Sequence, residues 1–534
     1  MPENIGGRGR ALLADTGEDA MEFPRQYNAA NDFVDRNVSN GHGAKVAFVD
    51  ADRSLTYGAL QLATRKMANL LGGLEMKREG RIAMLMLDTV DFPVVFWGAL
   101  RAGVVPVCLN TLLTTQQYEY MLSDSRAEAL IVSSELLPVV EPVLGTLPAL
   151  KDVVVVGGGA GKHKAFEGLL AGASDVFETA DTCADETAFW LYSSGSTGDP
   201  KGVRHVHSSP MYVAKHYGEG VLAIQHDDVC FSAAKLFFAY GLGAGMAVPM
   251  SVGASTILLP ERPTPLSVLD VLHRHQPTIF FGVPTLYAAM LADPDCTPQN
   301  SSAKLRLCIS AGEALPEDVG ITWKRRMGVD ILDGIGSTEM LHVFLSNRPD
   351  DIRYGTSGKA FDGYKLRLVD DDGHDAGTGE IGELLVCGGS AADGYWNQRE
   401  KSRATFEGGW TRTGDKYFQD ADGYYHYCGR TDDMFKVSGR WVSPFEVEQA
   451  LVSHPAVLEA AVVAKEDAEG LVKPKAFVVL NADTDQDCLF EPLKAHVKST
   501  VGAWKYPRWI DFVGALPKTA TGKIQRYKLR DGIS

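Results

Sequence analysis

The chain has 534 residues, more than the roughly 250 to 300 at which one hydrophobic core stops growing, so at least two folding units are expected. Its hydrophobic fraction of 45% and charged fraction of 22% are those of a globular protein and exclude a disordered or fibrous one. The net charge of -16 argues against a general binder of nucleic acid or anionic membranes, so any anionic ligand must meet a local cationic site.

The first 22 residues contain no apolar run long enough for a signal peptide and are expected to be loosely ordered. No stretch of about 18 uninterrupted apolar residues occurs. The eight cysteines show neither a C-x-x-C pair nor zinc-finger spacing, which points to reduced thiols and an expected cytoplasmic protein, and the net charge and hydropathy lead us to expect no membrane or nucleic-acid partner.

Along the chain, short apolar β-branched runs alternate with longer amphipathic segments: RIAMLML (81–87), VVPVCL (104–109), EALIV (128–132), DVVVV (152–156), TAFWLY (187–192), TIFFGV (278–283) and LRLCIS (305–310). That alternation predicts an α/β architecture of parallel sheets. VVGGGAGKHK (155–164) reads as an exposed loop. After Arg353 the texture changes to KLRLV and ELLVC separated by the turn clusters DDDGHDAGTGE and FEGGW, which reads as a β-rich, antiparallel subdomain. From Arg430–Asp433 onward a small α+β unit is expected. It holds a helix in SPFEVEQALVSH, N-capped by Ser443 with Pro444 in its first turn and Glu446 closing a capping box, then the strands VLEAAVVA and KAFVVL and a basic tail.

The stretch TAFWLYSSGSTGDPKGV (187–203) carries the chemistry. An apolar strand runs into a loop whose backbone is freed at Gly195, Gly198 and Gly202, whose hydroxyls come from Ser193, Ser194, Ser196 and Thr197, and which Lys201 closes. Amide N–H groups, hydroxyls and one ammonium suit a polyphosphate. It is not a Walker A loop, and the chain has no G-x-G-x-x-G dinucleotide fingerprint. Read on its residues alone, the loop is also compatible with a flexible surface segment or with a serine amidase using Ser193, Ser194 or Ser196 with a lysine.

Four further segments follow in order: SAGEAL (310–315), GIGSTE (334–339), TGD with GRTDDMFKVSG (413–415 and 429–439), and PKTATGK (517–523). Together with YSSGSTGDPKGV they resemble the adenylate-forming superfamily of acyl-CoA synthetases, luciferases and peptide-synthetase adenylation domains. LFFAYGLG (236–243) and FKVSGRWVSPFEVE (435–448) are most similar to benzoate-CoA ligases. The resemblance spans essentially the whole chain. It implies a large N-terminal adenylation domain over 23–431, a small mobile C-terminal domain over 432–534, and an ATP-dependent acid–thiol ligase that passes an aromatic carboxylic acid to coenzyme A through an acyl-adenylate. A CoA ligase for another apolar acid stays open beside it, and a monomer or homodimer is expected.

The same resemblance implies the roles of single residues. Ser193, Ser194, Gly195, Ser196, Thr197, Gly198 and Lys201 would hold the phosphates of ATP, with Thr338 at the α-phosphate and Glu339 as the Mg²⁺ ligand. Gly312, Glu313 and Ala314 would lie along the adenine, and Asp415 and Arg430 at the ribose. Lys523 would be the catalytic lysine of adenylation, Asp432 the hinge, and Lys436, Ser438 and Gly439 the CoA-facing residues. Phe238, Ala239, Tyr240, Phe281, Gly282, Ile335 and His342 would form a flat, mostly apolar acid pocket. No acidic residue at these positions would hold a substrate amino group.

Overall fold

A computed structural model of the chain describes residues 21–193, 199–437, 440–481, 486, 488–502, 504–518 and 524–530. The expected segment over the first 22 residues therefore lies almost wholly outside the described residues.

The apolar runs form strands at the expected places. Arg81–Leu85, Val105–Cys108, Ala129–Ser133 and Asp152–Val156 pair in parallel within an eight-stranded sheet, which Lys164–Ala165 extends at one edge. On its other side Thr187–Ser193 pairs with Val105–Cys108 in parallel, and antiparallel Lys201–Val206 and Gly394–Tyr395 complete it. Ala129–Ser133 is buried at every position, which is why its sequence is a continuous hydrophobic run instead of an alternating one.

A nine-stranded sheet holds Ile279–Gly282, Leu307–Ser310 and Ile331–Gly336, again parallel, and ends in the antiparallel strand Val343–Ser346 and the short Lys359–Ala360. One core joins the two sheets: Phe48 comes from the nine-stranded sheet and Ile82, Met84 and Phe189 from the eight-stranded one, with Phe96 and Trp97 of the helix Asp91–Arg101. A second core joins Phe281, Ile309 and Leu332 to Leu384, Val386 and Tyr417 of a five-stranded antiparallel sheet, the β-rich part read from the sequence.

Beyond Arg430 the chain builds a separate core from Val442, Val447, Leu451, Val462, Val478 and Leu493. It lies among the helices Pro444–Val452 and Phe490–Val501 and the strands Val457–Glu466, Val472–Leu480 and Trp509–Phe512. The Ser443 hydroxyl accepts from the Glu446 amide at 3.0 Å, as the capping sequence predicts. The reciprocal half of the box fails, because the Glu446 carboxylate accepts from Lys505 at 2.6 Å, and an ammonium is a stronger partner than a backbone amide. In the basic tail, Lys518 pairs with Glu459 at 2.5 Å. All eight cysteines are free thiols.

Candidate functional site

The strand Thr187–Ser193 and the returning strand Lys201–Val206 are antiparallel and pair Ser193 with Lys201, which brings two residues of the phosphate-type segment side by side. Ser194, Gly195, Ser196, Thr197 and Gly198 lie outside the described residues. The Lys201 ammonium stands 4.4 Å from the centroid of the Tyr395 ring. Burial lowers its pKa, and Glu339 is the first charge opposing that shift.

Tyr395 links this strand pair to GIGSTE. It lies on the edge strand Gly394–Tyr395, beside Val203, and its hydroxyl donates to Glu339 Oε1 at 2.8 Å. The Ser193 hydroxyl reaches the same oxygen at 3.4 Å, and the Ala392 amide donates to the Glu339 carbonyl at 2.8 Å. Glu339 is therefore fixed from three directions with its carboxylate beside a lysine. Behind it His205, fully buried and stacked on Phe189, donates from Nε2 to the Thr338 carbonyl at 2.8 Å. Burial lowers the His205 pKa to about 4, so this donor is a neutral imidazole at neutral pH.

Asp415 and Arg430 oppose each other across an antiparallel pair and join at 3.1 Å, while Arg430 Nη1 also donates to the Thr413 carbonyl at 2.9 Å. Asp415 is the first cause of a raised Arg430 pKa, so the guanidinium stays charged. Gly414 between them takes φ +71° and an added Cβ would meet Arg430 at 2.8 Å, which is why TGD has glycine at its centre.

The adenine-type segment follows the strand Leu307–Ser310. Gly312 there has φ +94° with open space around an added Cβ, so its requirement is conformational and not one of packing. The Leu315 amide donates to Asp333 Oδ2 at 3.3 Å, which brings Asp333 to this segment. Asp333 is 4% exposed, its Oδ1 has no hydrogen-bond partner among the described residues, and burial raises its pKa from 3.8 to about 8. The folded chain thus binds this proton where the unfolded chain has lost it. The Asp333 contribution to stability is complete below about pH 4 and is lost as pH rises through about 8. Thermal midpoints across that window are expected to fall less steeply in Asp333→Asn than in the parent; equal slopes would contradict the assignment.

The acid-pocket residues converge in part. The Tyr240 ring lies 6.2 Å from Phe281 and 5.5 Å from His342, and Tyr217, which the motifs do not point to, lies 5.2 Å from His342. Ile335 packs against the same core. The Tyr240 hydroxyl is already engaged by the Gly282 and Ile309 carbonyls at 3.1 and 3.3 Å. The Phe238 ring is tilted against Phe237 at 4.4 Å and packs with Ala239 on the first core, while Tyr240 packs on the second, so the LFFAYGLG turn sits where the two cores meet. A Cβ at Gly282 would stand 2.7 Å from the Tyr287 ring, so packing explains that glycine.

His342 is 2% exposed and neither ring nitrogen has a hydrogen-bond partner among the described residues. Burial lowers its pKa to about 3, leaving a neutral ring able to donate one hydrogen bond. A Cβ at Gly243 would stand 2.1 Å from its Cδ2. Gly243→Ala must displace the imidazole, and overpacking of this kind is expected to raise the KM for the acid about tenfold with the KM for ATP nearly unchanged. An unaltered acid KM would remove His342 from the pocket.

Of the other expected residues, Glu313 and Ala314 follow Gly312 in the turn, the Asp432 carbonyl accepts from Arg530 at 3.0 Å, and Lys436 pairs with Asp371 at 3.3 Å. Ser438, Gly439 and Lys523 lie outside the described residues. Sequence reading missed Tyr395, His205, Asp333 and Gly243. Their weak signals were GYWN, the histidine in KGVRHVH, the lone acid in ILDGIG, and the last glycine of LFFAYGLG.

The AMP-binding enzyme family model matches residues 34–396, and the AMP-binding enzyme C-terminal domain matches residues 446–523. A 4-hydroxybenzoate–CoA/benzoate–CoA ligase of Rhodopseudomonas palustris is 58% identical, covering 95% of this chain and 94% of its own length. A benzoate–CoA ligase of Thauera aromatica is 55% identical over 96% of this chain and 97% of its own. Among solved structures, an anthranilate CoA ligase in complex with anthranoyl-AMP superposes with a TM-score of 0.92 at 44% identity, covering 96% of this chain and 98% of that one. A benzoate CoA ligase from Burkholderia xenovorans superposes with a TM-score of 0.88 at 48% identity, covering 94% of this chain and 100% of that one. The ordered motifs, the strand pair that joins Lys201 to Glu339 through Tyr395, and these full-length likenesses agree that the chain belongs to the AMP-binding enzyme family, within the adenylate-forming superfamily.

Proposed function

We propose that the protein is an aryl-CoA ligase that converts benzoate, ATP and coenzyme A to benzoyl-CoA, AMP and diphosphate through benzoyl-AMP. One observation carries this reading. The strand Ile331–Gly336 and its partner Val343–Ser346 are joined by a turn that bears Thr338 and Glu339, while Ile335 and His342 on the same hairpin border the aromatic cage of Tyr240 and Phe281. Phosphate chemistry and an apolar acid site therefore share one hairpin.

In this reading the Lys201 ammonium counters the repulsion between carboxylate and triphosphate, a positioned cation in a partly buried site acting more strongly than one in water. Thr338, held by His205, contacts the α-phosphate. Asp415 accepts from the ribose hydroxyls with Arg430 holding its orientation, and Asp333, a neutral acid below about pH 8, meets the polar edge of the purine. His342 donates to the substrate carboxylate or to a ring substituent, and the cage admits a flat apolar ring. Lys523 bridges carboxylate and nucleotide during adenylation.

Glu339 fits Mg²⁺: it offers a hard carboxylate oxygen oriented by the Tyr395 hydroxyl, and phosphate-bound Mg²⁺ takes few protein ligands. When bound, the ion would neutralise phosphate charge. The eight free thiols support a cytoplasmic setting, and the reading includes a monomer or homodimer. Among the described residues no helix is long and apolar enough to cross a membrane.

A panel of acids incubated with ATP, Mg²⁺ and coenzyme A, with thioester identified by mass, tests the substrate class. Benzoate and small ring-substituted benzoates are expected to give the highest kcat/KM. Preference for a straight medium-chain acid would overturn the aryl assignment and keep the ligase.

A further inference from the structure

Lys436 stands on the first strand of the small hairpin Phe435–Val437 and Arg440–Val442, cross-strand from Trp441. The family resemblance implies a CoA-facing role for it, while here its ammonium lies 3.3 Å from Asp371 Oδ2. Asp371 sits in the turn between the strands Lys365–Val369 and Gly382–Cys387, and its Oδ1 accepts from Lys416 at 2.9 Å. Lys416 immediately follows Asp415, on the strand Trp410–Gln419. The Trp441 ring completes the group, 4.5 Å from the Lys436 ammonium and 5.4 Å from that of Lys416. A single carboxylate and a single indole thus hold one lysine from each side of Asp432.

The two halves of this cluster differ in strength. The Lys416 side chain is 4% exposed, and a buried ammonium requires a counter-charge, so its pairing with Asp371 is the stronger of the two. Lys436 and Asp371 are half-exposed, at 49% and 52%, so their pair is screened and weak. Lys416 and then Lys436 lower the Asp371 pKa, which keeps the carboxylate ionised across the working range. The exposed neighbours Asp370 and Asp372 add negative potential on the same turn.

Elsewhere the joint is anchored on both sides. The Thr431 amide donates to the Gly414 carbonyl at 2.8 Å on the large-domain side. Asp433 is held by Arg526 and Arg530 of the last described helix at 3.4 and 3.3 Å, and Arg526 also grips Glu448 at 2.7 Å. The Asp432 carbonyl itself accepts from Arg530 at 3.0 Å, and the Asp433 and Met434 amides both donate to the Arg430 carbonyl at 3.0 Å, so the joint is a hydrogen-bonded turn that the Asp371–Lys436 contact crosses.

We infer that Asp371 is a positioning residue: by holding Lys436 it favours the domain orientation described here, and its release of Lys436 accompanies the turn to the thioester-forming orientation. The inference rests on the reading of Asp432 as a hinge between two half-reactions. Lys436 cannot pair with Asp371 and serve the thioester face at once, so the contact sets the balance between the two orientations.

Single-turnover rates of the two half-reactions test it. In Asp371→Asn, adenylation of benzoate is expected to slow by about two- to fivefold, while thioester formation from supplied benzoyl-AMP is unchanged or faster. Asp371→Glu should restore the parent ratio. Trp441→Leu keeps the Lys416–Asp371 pair and should shift the ratio in the same direction, so it carries the test if the Asn variant does not fold. Spin labels on either side of Asp432 report orientation without chemistry, and both variants should lose population at the distance seen in the parent. A ratio and a distance distribution that both match the parent overturn the inference, even if both rates fall together. An unsubstituted enzyme that turns over no acid would instead count against the ligase reading and leave the distance measurement to decide this one.

Discussion

Lys523→Ala is expected to slow benzoate adenylation on the order of 10² to 10³-fold while leaving conversion of supplied benzoyl-AMP and coenzyme A to thioester nearly intact. The expectation follows from charge. Bringing a carboxylate to the α-phosphate sets two anions against each other, and a cation delivered only in the reacting arrangement stabilises the transition state more than the ground state. The second half-reaction starts from a neutral acyl group and a leaving AMP, so it does not call on the same ammonium. Lys523 is the last residue of the PKTATGK motif and the last matched by the C-terminal family model. Diphosphate release in a single turnover measures the first step, and thioester absorbance the second. Equal losses in both would show that Lys523 supports the fold and not the adenylation step; normal adenylation would remove its role outright.

Asp432→Pro is expected to act in the opposite sense, lowering thioester formation by roughly 10²-fold and adenylation much less. Proline fixes φ near −65° and removes an amide donor. Asp432 lies between Thr431, tied to Gly414, and Asp433, tied to Arg526 and Arg530, and its own carbonyl accepts from Arg530; in the proposed hinge reading a turn of the small unit must be taken up at these residues. Locking it should trap the orientation in which Lys436 meets Asp371. Loss of adenylation to the same degree would argue against a hinge at this position.

The two predictions separate the domains by chemistry. They also define what the sequence could reveal. Strands such as DVVVV (152–156) and KLRLV (365–369) were legible to the residue, because buried parallel strands are continuous apolar runs and the antiparallel ones are bounded by glycine-rich turns. The motif segments were legible as a family signature because their order along the chain is informative. Residues that brace those segments were not. Tyr395 reaches Glu339 across 56 positions and His205 reaches Thr338 across 133, and neither distance leaves a local pattern. Asp333 is informative only once its burial is known, since an isolated aspartate in ILDGIG reads equally well as a strand-end acid. The capping box of Ser443 and Glu446 was half right for the same reason: local spacing predicts the amide contact, and tertiary packing supplies Lys505 as the better partner.

Gly243 shows how the proposed acid pocket depends on such unseen supports. Nothing in LFFAYGLG distinguishes its last glycine from a turn residue, yet it is the absence of a Cβ there that lets His342 stand beside Tyr240. The tolerance of the pocket for ring substituents should therefore respond to residues behind the cage as well as to Tyr240 and Phe281 within it.

The most direct test of the central claim is benzoate-dependent exchange of labelled diphosphate into ATP, measured with Mg²⁺ and without coenzyme A. An enzyme that forms benzoyl-AMP must incorporate label under those conditions, and the exchange must stop when benzoate is withdrawn. Absence of exchange with any apolar acid, together with amide hydrolysis that needs no ATP, would contradict the claim and favour a hydrolytic serine in the Ser193–Ser196 loop.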